Sequence, residues 1–316
     1  MRPRELIAFI FLAATWGASF VFIRVAAPSF GAFGVAATRV LIAAAVLWIY
    51  ARVRNEKAEL LPYWRRLLVL GLINAAAPFA LVSAAELQLS ASKSAVLLAA
   101  TPLFSFGMLA VAGIERPSTA RLIGLLVGVV GVAVLVGWQP GETSNLLASG
   151  AVLLGALFYA AAGLYARHRM PDVPVLSLAL GQQVSAALWL ALPALFTLPG
   201  AVPPVNAIAS VLALALASTA VAYLVFFWLI REIGALRTAT VTYAVPIFGV
   251  LWGATLLHEA VSADVLLGLG LILVSMVMVT RKAASVPSPI AHRSSVLPPK
   301  LTGHSDRVAM SHCRES

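Results

Sequence analysis

The sequence predicts an all-α polytopic membrane protein with ten transmembrane helices, arranged as two inverted five-helix repeats. Three observations predict this fold class: an apolar composition, ten apolar stretches of near-membrane length, and a residue pattern that recurs 144 positions later. Of the 316 residues, 61% are hydrophobic and only 11% are charged. Soluble domains carry roughly 25% charged residues, so this composition excludes a water-soluble globule and indicates lipid as the solvent.

Windows of about 20 apolar residues, the length needed to cross a bilayer, predict ten spans. The first follows Met1 directly, and we interpret it as a span because no small-residue cleavage site followed by a soluble domain appears. The tail 283–316 is rich in Ser and Pro and predicts a disordered cytoplasmic segment. The spans are 5–27, 33–51, 66–86, 92–112, 121–138, 147–167, 174–196, 207–230, 236–257 and 264–281.

The distribution of basic residues explains the net charge of +10 without nucleic acid. If the N-terminus is cytoplasmic, every cytoplasmic segment carries Arg or Lys, whereas the outer connections hold only Lys93, with Arg24 close to one of them. This bias is the positive-inside rule and places both termini in the cytoplasm. The cytoplasmic basic residues are Arg2, Arg4, Arg52, Arg54, Lys57, Arg65, Arg66, Arg116, Arg121, Arg167, Arg169, Arg231, Arg237, Arg281 and Lys282.

An internal repeat divides the chain into 5–138 and 147–282. Five spans per copy is an odd number, so the second copy enters the membrane from the opposite side. The charged turn beginning at Glu115 keeps two arginines on its predicted cytoplasmic side, while the partner turn beginning at Glu259 has lost both. The matched pairs are Lys93 and Arg237, Pro102 and Pro246, Phe104 and Phe248, Glu115 and Glu259, Ser118 and Ser262, and Gly124 and Gly268.

Three local patterns resemble one transporter family. They are the run from Thr15 to Phe20 (TWGASF), the early Arg39 of the second span, and the run from Ala100 to Phe104 (ATPLF) followed by Glu115. Together they resemble the EamA type of the drug/metabolite transporter superfamily. The resemblance implies ten helices, cytoplasmic termini, a bacterial inner-membrane location, and export or exchange of small metabolites, often amino acids, by alternating access. Phe158-Tyr159 departs from the Trp that such proteins often carry.

Arg39 is the sharpest candidate for a binding residue. It lies about 9 Å into the second span, where a charge costs at least about 2.5 kcal/mol, so it should face protein or a wet cavity. It could clamp an anionic or carboxylate group of the substrate, or it could be structural and bind carbonyls of neighbouring helices. Its repeat partners are Gln182 and Gln183, for which a helix–helix hydrogen bond is the alternative.

Polar stripes recur in equivalent spans of the two copies. Residues spaced by helical turns on one face could line a cavity near the membrane midplane, or their hydroxyls could bond back to their own helix. Asn74 could touch the substrate or satisfy a carbonyl freed by Pro78, and Tyr159, Tyr223 and Tyr243 could form an aromatic pocket. The stripes are Thr15 and Ser19 beside Trp16; Ser94, Leu98, Thr101 and Ser105; and Thr238, Thr242, Val245 and Gly249.

Prolines also fall within the predicted spans, where each removes a backbone hydrogen bond. They could act as hinges for opening and closing, or they could simply shape the bundle. The four are Pro78, Pro102, Pro193 and Pro246.

These patterns favour a secondary transporter for small polar substrates. Every acidic residue falls at a span end, in a loop or in a terminus, and Glu86 lies at the outer end of the third span. The charge deep within a predicted span is therefore the positive one of Arg39. The substrate is therefore expected to be anionic or zwitterionic. A membrane enzyme, a channel and a scaffold are the alternatives, but the histidines form no constellation, and Cys313, the single cysteine, lies in the tail. We expect no cofactor, metal or nucleic acid partner, and a monomer or weak homodimer.

The inverted repeat predicts that the turns around Glu115 and Glu259 lie on opposite sides of the membrane. Single cysteines placed beside each turn, in a chain with Cys313→Ser, should react with a membrane-impermeant thiol reagent from opposite sides of sealed vesicles. The turn around Glu115 should be cytoplasmic. Reaction of both from one side would contradict the inversion.

Overall fold

The structure is a computed structural model that describes residues 1–114, 118–137, 143–197 and 200–280. Within these ranges all regular elements are helical and no β-strand occurs. Most of the charged turn that begins at Glu115, the tail 283–316 and Cys313 lie outside the described residues.

Thirteen α-helices, α1 to α13, form the described part of the chain. A short 3₁₀ turn, Leu61–Tyr63, precedes α2, and two π-helical segments interrupt longer helices at Leu72–Ala76 and Leu216–Val221. The α-helices are α1 Pro3–Val53, α2 Trp64–Gly71, α3 Ala77–Ala85, α4 Ala91–Leu98, α5 Thr101–Val111, α6 Thr119–Val136, α7 Thr143–Arg169, α8 Val175–Leu195, α9 Val205–Ala215, α10 Ala222–Ile233, α11 Ala235–Ala239, α12 Val241–Leu256 and α13 Ala263–Thr280.

Helix α1 contains the first two predicted spans. Its 51 residues would reach about 76 Å at 1.5 Å per residue, against a hydrocarbon core of about 30 Å. Gly31 breaks it with a φ of 69° and a ψ of 165°, a conformation that glycine adopts without the steric penalty of a side chain. Nine helical stretches of the described chain are long and apolar enough to cross a membrane, and α1 is long enough for two crossings. The all-helical polytopic fold class is therefore confirmed.

The helix bounds recur at the spacing of the sequence repeat. Helix α6, Thr119–Val136, matches α13, Ala263–Thr280, at both ends with a shift of 144 residues. The two π-helical segments begin at Leu72 and Leu216, again 144 residues apart. Since π turns are rare, their recurrence at one register is a stronger likeness than shared helicity.

Equivalent helices of the two halves pack against each other in opposite directions. A Cβ built on Gly124, near the start of α6, would lie 2.7 Å from the Met278 Cβ, near the end of α13. A Cβ built on Gly268, near the start of α13, would be at least as close to the side chain of Leu135, near the end of α6. Ser275 Oγ bonds the Gly124 carbonyl oxygen at 2.6 Å. Small residues therefore let α6 and α13 approach closely as an antiparallel pair.

Prolines mark breaks in two of the predicted spans. Pro78 lies in the first turn of α3, directly after a π-helical segment, and Pro102 in the first turn of α5, after the break at Ala99 and Ala100. Pro193 and Pro246 lie inside α8 and α12, which continue through them. The first two prolines therefore separate rigid segments next to the centre of the bundle.

The packing between α2 and α8 predicts a strong response to one added methyl group. A Cβ at Gly71 would lie 2.4 Å from the Ser185 Cβ and 2.8 Å from the backbone nitrogen of Ala186. Because backbone atoms cannot rotate away, Gly71→Ala should destabilise the fold by about 1–3 kcal/mol. Thermal unfolding in detergent, followed by circular dichroism, checks this. Gly163→Ala in α7 is the matched control: its Cβ would meet no atom of another element within 4 Å, so this variant should be at least as stable as the wild type.

Candidate functional site

A cavity of about 360 Å³ lies among the helices near the centre of the bundle. Residues of α1, α3, α4, α5, α7, α10, α12 and α13 line it together with residues of both π-helical segments. Eight of the twelve residues predicted from the sequence to bind substrate lie in this lining. They are Trp16, Ser19, Arg39, Asn74, Thr101, Tyr159, Tyr223 and Thr242.

Arg39 is the charged residue of the cavity lining and is only 8% exposed. Its Nε donates to Thr219 Oγ1 at 2.7 Å, and its Cζ lies 3.8 Å from the centre of the Phe79 ring. Among the described residues, its terminal nitrogens have no hydrogen-bond partner. The guanidinium is thus held by one hydrogen bond and one ring face, and retains donors for an acceptor in the cavity.

The π-helical segment Leu216–Val221 positions the partner of Arg39. Thr219 Oγ1 donates to the Leu214 carbonyl oxygen at 2.8 Å, five residues earlier, and so keeps a lone pair for Arg39. The neighbouring Ser218 lines the cavity, and its Oγ donates to the Thr15 carbonyl oxygen of α1 at 2.7 Å. The segment therefore ties α1 to the second half of the chain beside the cavity.

Asn74, in the π-helical segment Leu72–Ala76, is oriented by a hydrogen bond to a residue outside the cavity lining. Its Nδ2 donates to Gln182 Oε1 at 2.7 Å. Gln182 is 3% exposed and lies outside the cavity lining. It therefore supports Asn74, a lining residue, instead of forming the wall itself.

Hydroxyl groups of the lining bond back to their own helices, as one of the two sequence interpretations expected. Thr101 Oγ1 donates to the Leu98 carbonyl oxygen at 2.7 Å, and Thr242 Oγ1 to that of Ala239 at 2.8 Å. Both residues nevertheless line the cavity, and a hydroxyl oxygen that donates once can still accept. The two interpretations are therefore compatible.

Three further predicted residues lie outside the lining. The Thr15 hydroxyl donates to the Phe11 carbonyl oxygen at 2.8 Å, and the Tyr243 hydroxyl contacts Thr280 Oγ1 at the end of α13. Gln183 is fully buried, and neither of its side-chain polar atoms has a partner among the described residues. The structure thus brings together eight predicted residues in the cavity lining and leaves these three outside it.

The cavity is lined by equivalent residues of the two halves. Six pairs of lining residues are separated by 144 positions, including Asn74 with Ser218 and Phe79 with Tyr223. Sequence reasoning missed Ser218, Phe79 and Phe226, although the repeat register was a signal that could have found them. The pairs are Asn74 and Ser218, Phe79 and Tyr223, Val82 and Phe226, Leu98 and Thr242, Thr101 and Val245, and Pro102 and Pro246.

Aromatic rings complete the wall next to the polar groups. The rings of Trp16 and Phe226 lie 5.5 Å apart, and those of Tyr223 and Phe227 5.9 Å apart. Tyr159 of α7 lines the cavity as well. The site therefore offers one cation, several hydrogen-bonding groups and apolar faces, which is the usual composition of a small-molecule site.

A second, larger cavity of about 440 Å³ lies among α5, α6 and α7. Its lining is entirely apolar in the described residues and includes Leu103, Phe104 and Val129. Without polar groups it cannot orient a polar ligand. The cavity around Arg39 is therefore the candidate site.

Comparisons with known proteins agree on a class of membrane transporters. The sequence profile of the EamA-like transporter family matches residues 4–137 and 146–281. The uncharacterized inner membrane transporter YedA of Escherichia coli K12 is 26% identical over 89% of this chain and 93% of its own length. The probable terminal-alkyne amino-acid exporter of Streptantibioticus cattleyicolor is 27% identical over 76% and 80%, respectively. A crystal structure shares the fold, with a TM-score of 0.61 and 19% identity over 89% of this chain and 98% of its own.

The cavity predicts which of two nearby threonines is open to a water-soluble reagent. In a chain with Cys313→Ser, Thr242→Cys in α12 should react with a small maleimide because Thr242 lines the cavity. Thr238→Cys, four residues earlier in α11, should not react because Thr238 is fully buried. Mass spectrometry of the intact protein measures the fraction modified. Equal reaction of both variants would contradict this cavity.

Proposed function

Because the chain belongs to the EamA-like transporter family, we propose that it exports small polar metabolites, such as amino acids, by alternating access. Membership of this family makes the protein an integral membrane transporter. The finer assignment depends on one observation, the partly unpartnered guanidinium of Arg39 at the cavity wall. The amino-acid exporter named above is a relative over three quarters of this chain, which supports the same class of substrate.

Arg39 suits the carboxylate of the substrate. A guanidinium presents several donors in a plane, which matches the two oxygens of a carboxylate, and the low dielectric of the bundle strengthens such a pair. Thr219 bonds only the Nε of Arg39, so the two terminal nitrogens of the guanidinium remain for the ligand. An anionic or zwitterionic substrate follows from this chemistry.

The rest of the cavity suits a small, partly apolar substrate. A volume of about 360 Å³ holds a molecule of the size of an amino acid with some water. Asn74 and Ser218 offer hydrogen bonds on equivalent sides, while Trp16, Phe226 and Tyr159 offer ring faces. An α-amino acid, with a carboxylate, an ammonium and a variable side chain, matches these three kinds of contact.

Alternating access is supported by the internal symmetry. The twofold pattern of lining residues and the antiparallel contact of α6 with α13 fit two inverted copies, 5–138 and 147–282, that meet at the substrate site. In such transporters one arrangement of the copies opens the site to one side, and the exchanged arrangement opens it to the other. Cytoplasmic termini in a bacterial inner membrane, and a monomer or weak homodimer, complete the proposal.

A membrane enzyme remains the alternative class, and the residues give it little support. Among the described residues, no group of three or more His, Cys, Asp or Glu side chains could hold a metal ion. The cavity itself contributes a cation, amides and hydroxyls. Such groups bind and orient a ligand, which is what a transporter requires.

Arg39→Ala should fold but lose most transport of amino acids. Thr219 Oγ1 keeps its bond to the Leu214 carbonyl oxygen, so the substitution leaves no buried donor unpaired on that side chain. Hydrogen bonds to a charged group contribute roughly 1.5–3 kcal/mol, so uptake at low concentration should fall about ten- to hundredfold. The measurement is exchange of labelled amino acids in vesicles reconstituted with purified protein, with thermal unfolding as the check on folding.

Two controls separate binding from structure in this experiment. Arg4→Ala removes an exposed arginine that pairs with Glu232 and should transport like the wild type. Amino acid amides, which lack the carboxylate, should compete poorly in the wild type, and Arg39→Ala should lose this discrimination. Wild-type transport by Arg39→Ala, or equal competition by acids and amides in the wild type, would exclude the carboxylate site.

A further inference from the structure

Glu86 is a buried carboxyl group that the substrate site does not use. It follows the last residue of α3 and is 0% exposed. The sequence places it at the outer end of the third span, and the structure keeps it there but encloses it completely. Neither of its carboxyl oxygens has a hydrogen-bond partner in the part of the chain that the structure describes. An ionised carboxylate without donors is costly to bury, whereas the neutral acid costs far less.

The charged groups that act on Glu86 electrostatically come from two elements. They are Arg24 and Arg39 of α1 and Glu259 of the turn after α12. The Arg24 guanidinium donates to the backbone carbonyl oxygen of Glu86, and not to its carboxyl group. Arg24 is therefore already engaged by the backbone, while Glu259 adds to the cost of a second negative charge.

Glu259, by contrast, has donors for both of its carboxyl oxygens. Its Oε1 accepts from the Ala91 backbone N–H at 2.7 Å, and its Oε2 accepts from the Ser92 N–H at 3.0 Å and from Ser92 Oγ at 2.6 Å. These three donors hold the Glu259 side chain at the start of α4. Glu86 has no such donors among the described residues, so its burial favours the neutral acid.

The contacts of Glu259 also tie neighbouring elements together. They join the turn after α12 to α4, and Lys93 Nζ joins α4 to Asp264 of α13 at 3.1 Å. Glu86, on which Glu259 acts electrostatically, is fully buried one helical turn after Val82, which lines the substrate cavity. We therefore expect water to reach Glu86 when these contacts open.

We infer that the Glu86 carboxyl is a proton-binding site coupled to the opening of these contacts in the transporter. The carboxyl is neutral while Glu259 is docked on α4, and it releases its proton to water when the contacts open. Proton binding then favours closure and ionisation favours opening. This inference rests on the proposed transport function, because it couples the proton to the movement that carries the substrate.

Such coupling would let a pH gradient across the membrane drive transport. If the transporter closes only with a proton on Glu86, it closes more slowly when it faces the side of low proton concentration. The nearby Arg39 adds a second link, since a substrate carboxylate on Arg39 changes the charge that acts on Glu86. Both effects disappear if residue 86 is permanently neutral.

Two measurements on the full-length protein test the inference, with Glu86→Gln as the variant. Gln has the shape of the neutral acid, so the variant should fold and retain exchange of labelled amino acids across vesicles without a pH gradient. Infrared spectroscopy of the wild type at neutral pH should show the carbonyl band of a protonated carboxyl group, and this band should be lost in Glu86→Gln. An imposed pH gradient should accelerate net transport by the wild type and leave the rate of the variant unchanged.

Glu232→Gln is the matched control because Glu232 is partly exposed and paired with Arg4. It should keep both the infrared band and the response to the gradient. An identical infrared band in the wild type and in Glu86→Gln would overturn the proton site, as would a variant that fails to fold or still responds to the gradient. The infrared result needs no substrate, so failure to transport any labelled amino acid would count against the proposed function alone.

Discussion

The burial of a guanidinium in an apolar helix bundle is the constraint on which the centre of this structure depends. Arg39 needs an acceptor and a polarisable surface, and it finds Thr219 Oγ1 and the ring of Phe79. Thr219 can accept because the π-helical segment turns its hydroxyl toward a carbonyl five residues back. Arg39, the π-helical segment Leu216–Val221 and the cavity therefore form one arrangement.

Much of this arrangement could be predicted from the sequence because lipid penalises polar atoms so strongly. An arginine deep in a span, and hydroxyls recurring at helical spacing, predicted several polar residues of the cavity lining, and apolar run lengths predicted the spans. The partner Thr219 and the seclusion of Glu86 could not be predicted, since both depend on which helices meet across long stretches of chain. The break of α1 at Gly31 lies within the predicted gap between the first two spans, 28–32, so the division of this helix into two spans could also be predicted.

Arg39 and Glu86, two buried ionisable residues, are accommodated in opposite ways. Arg39 keeps its charge because a ring and a hydroxyl replace part of its water, and because its remaining donors face a cavity. Glu86 has no donor among the described residues, while Glu259, its neighbour, has three. Local hydrogen-bond supply therefore distinguishes how Arg39 and Glu86 are accommodated in the bundle.

The two π-helical segments also carry a historical consequence. A π turn contains one residue more than an α turn, so it corresponds to an inserted residue that shifts the rest of its helix. If the halves arose by gene duplication, the same insertion at Leu72–Ala76 and Leu216–Val221 is older than the duplication. The ancestral half would then have carried this bulge already, and the widened turns at Asn74 and Ser218 would be its two surviving copies.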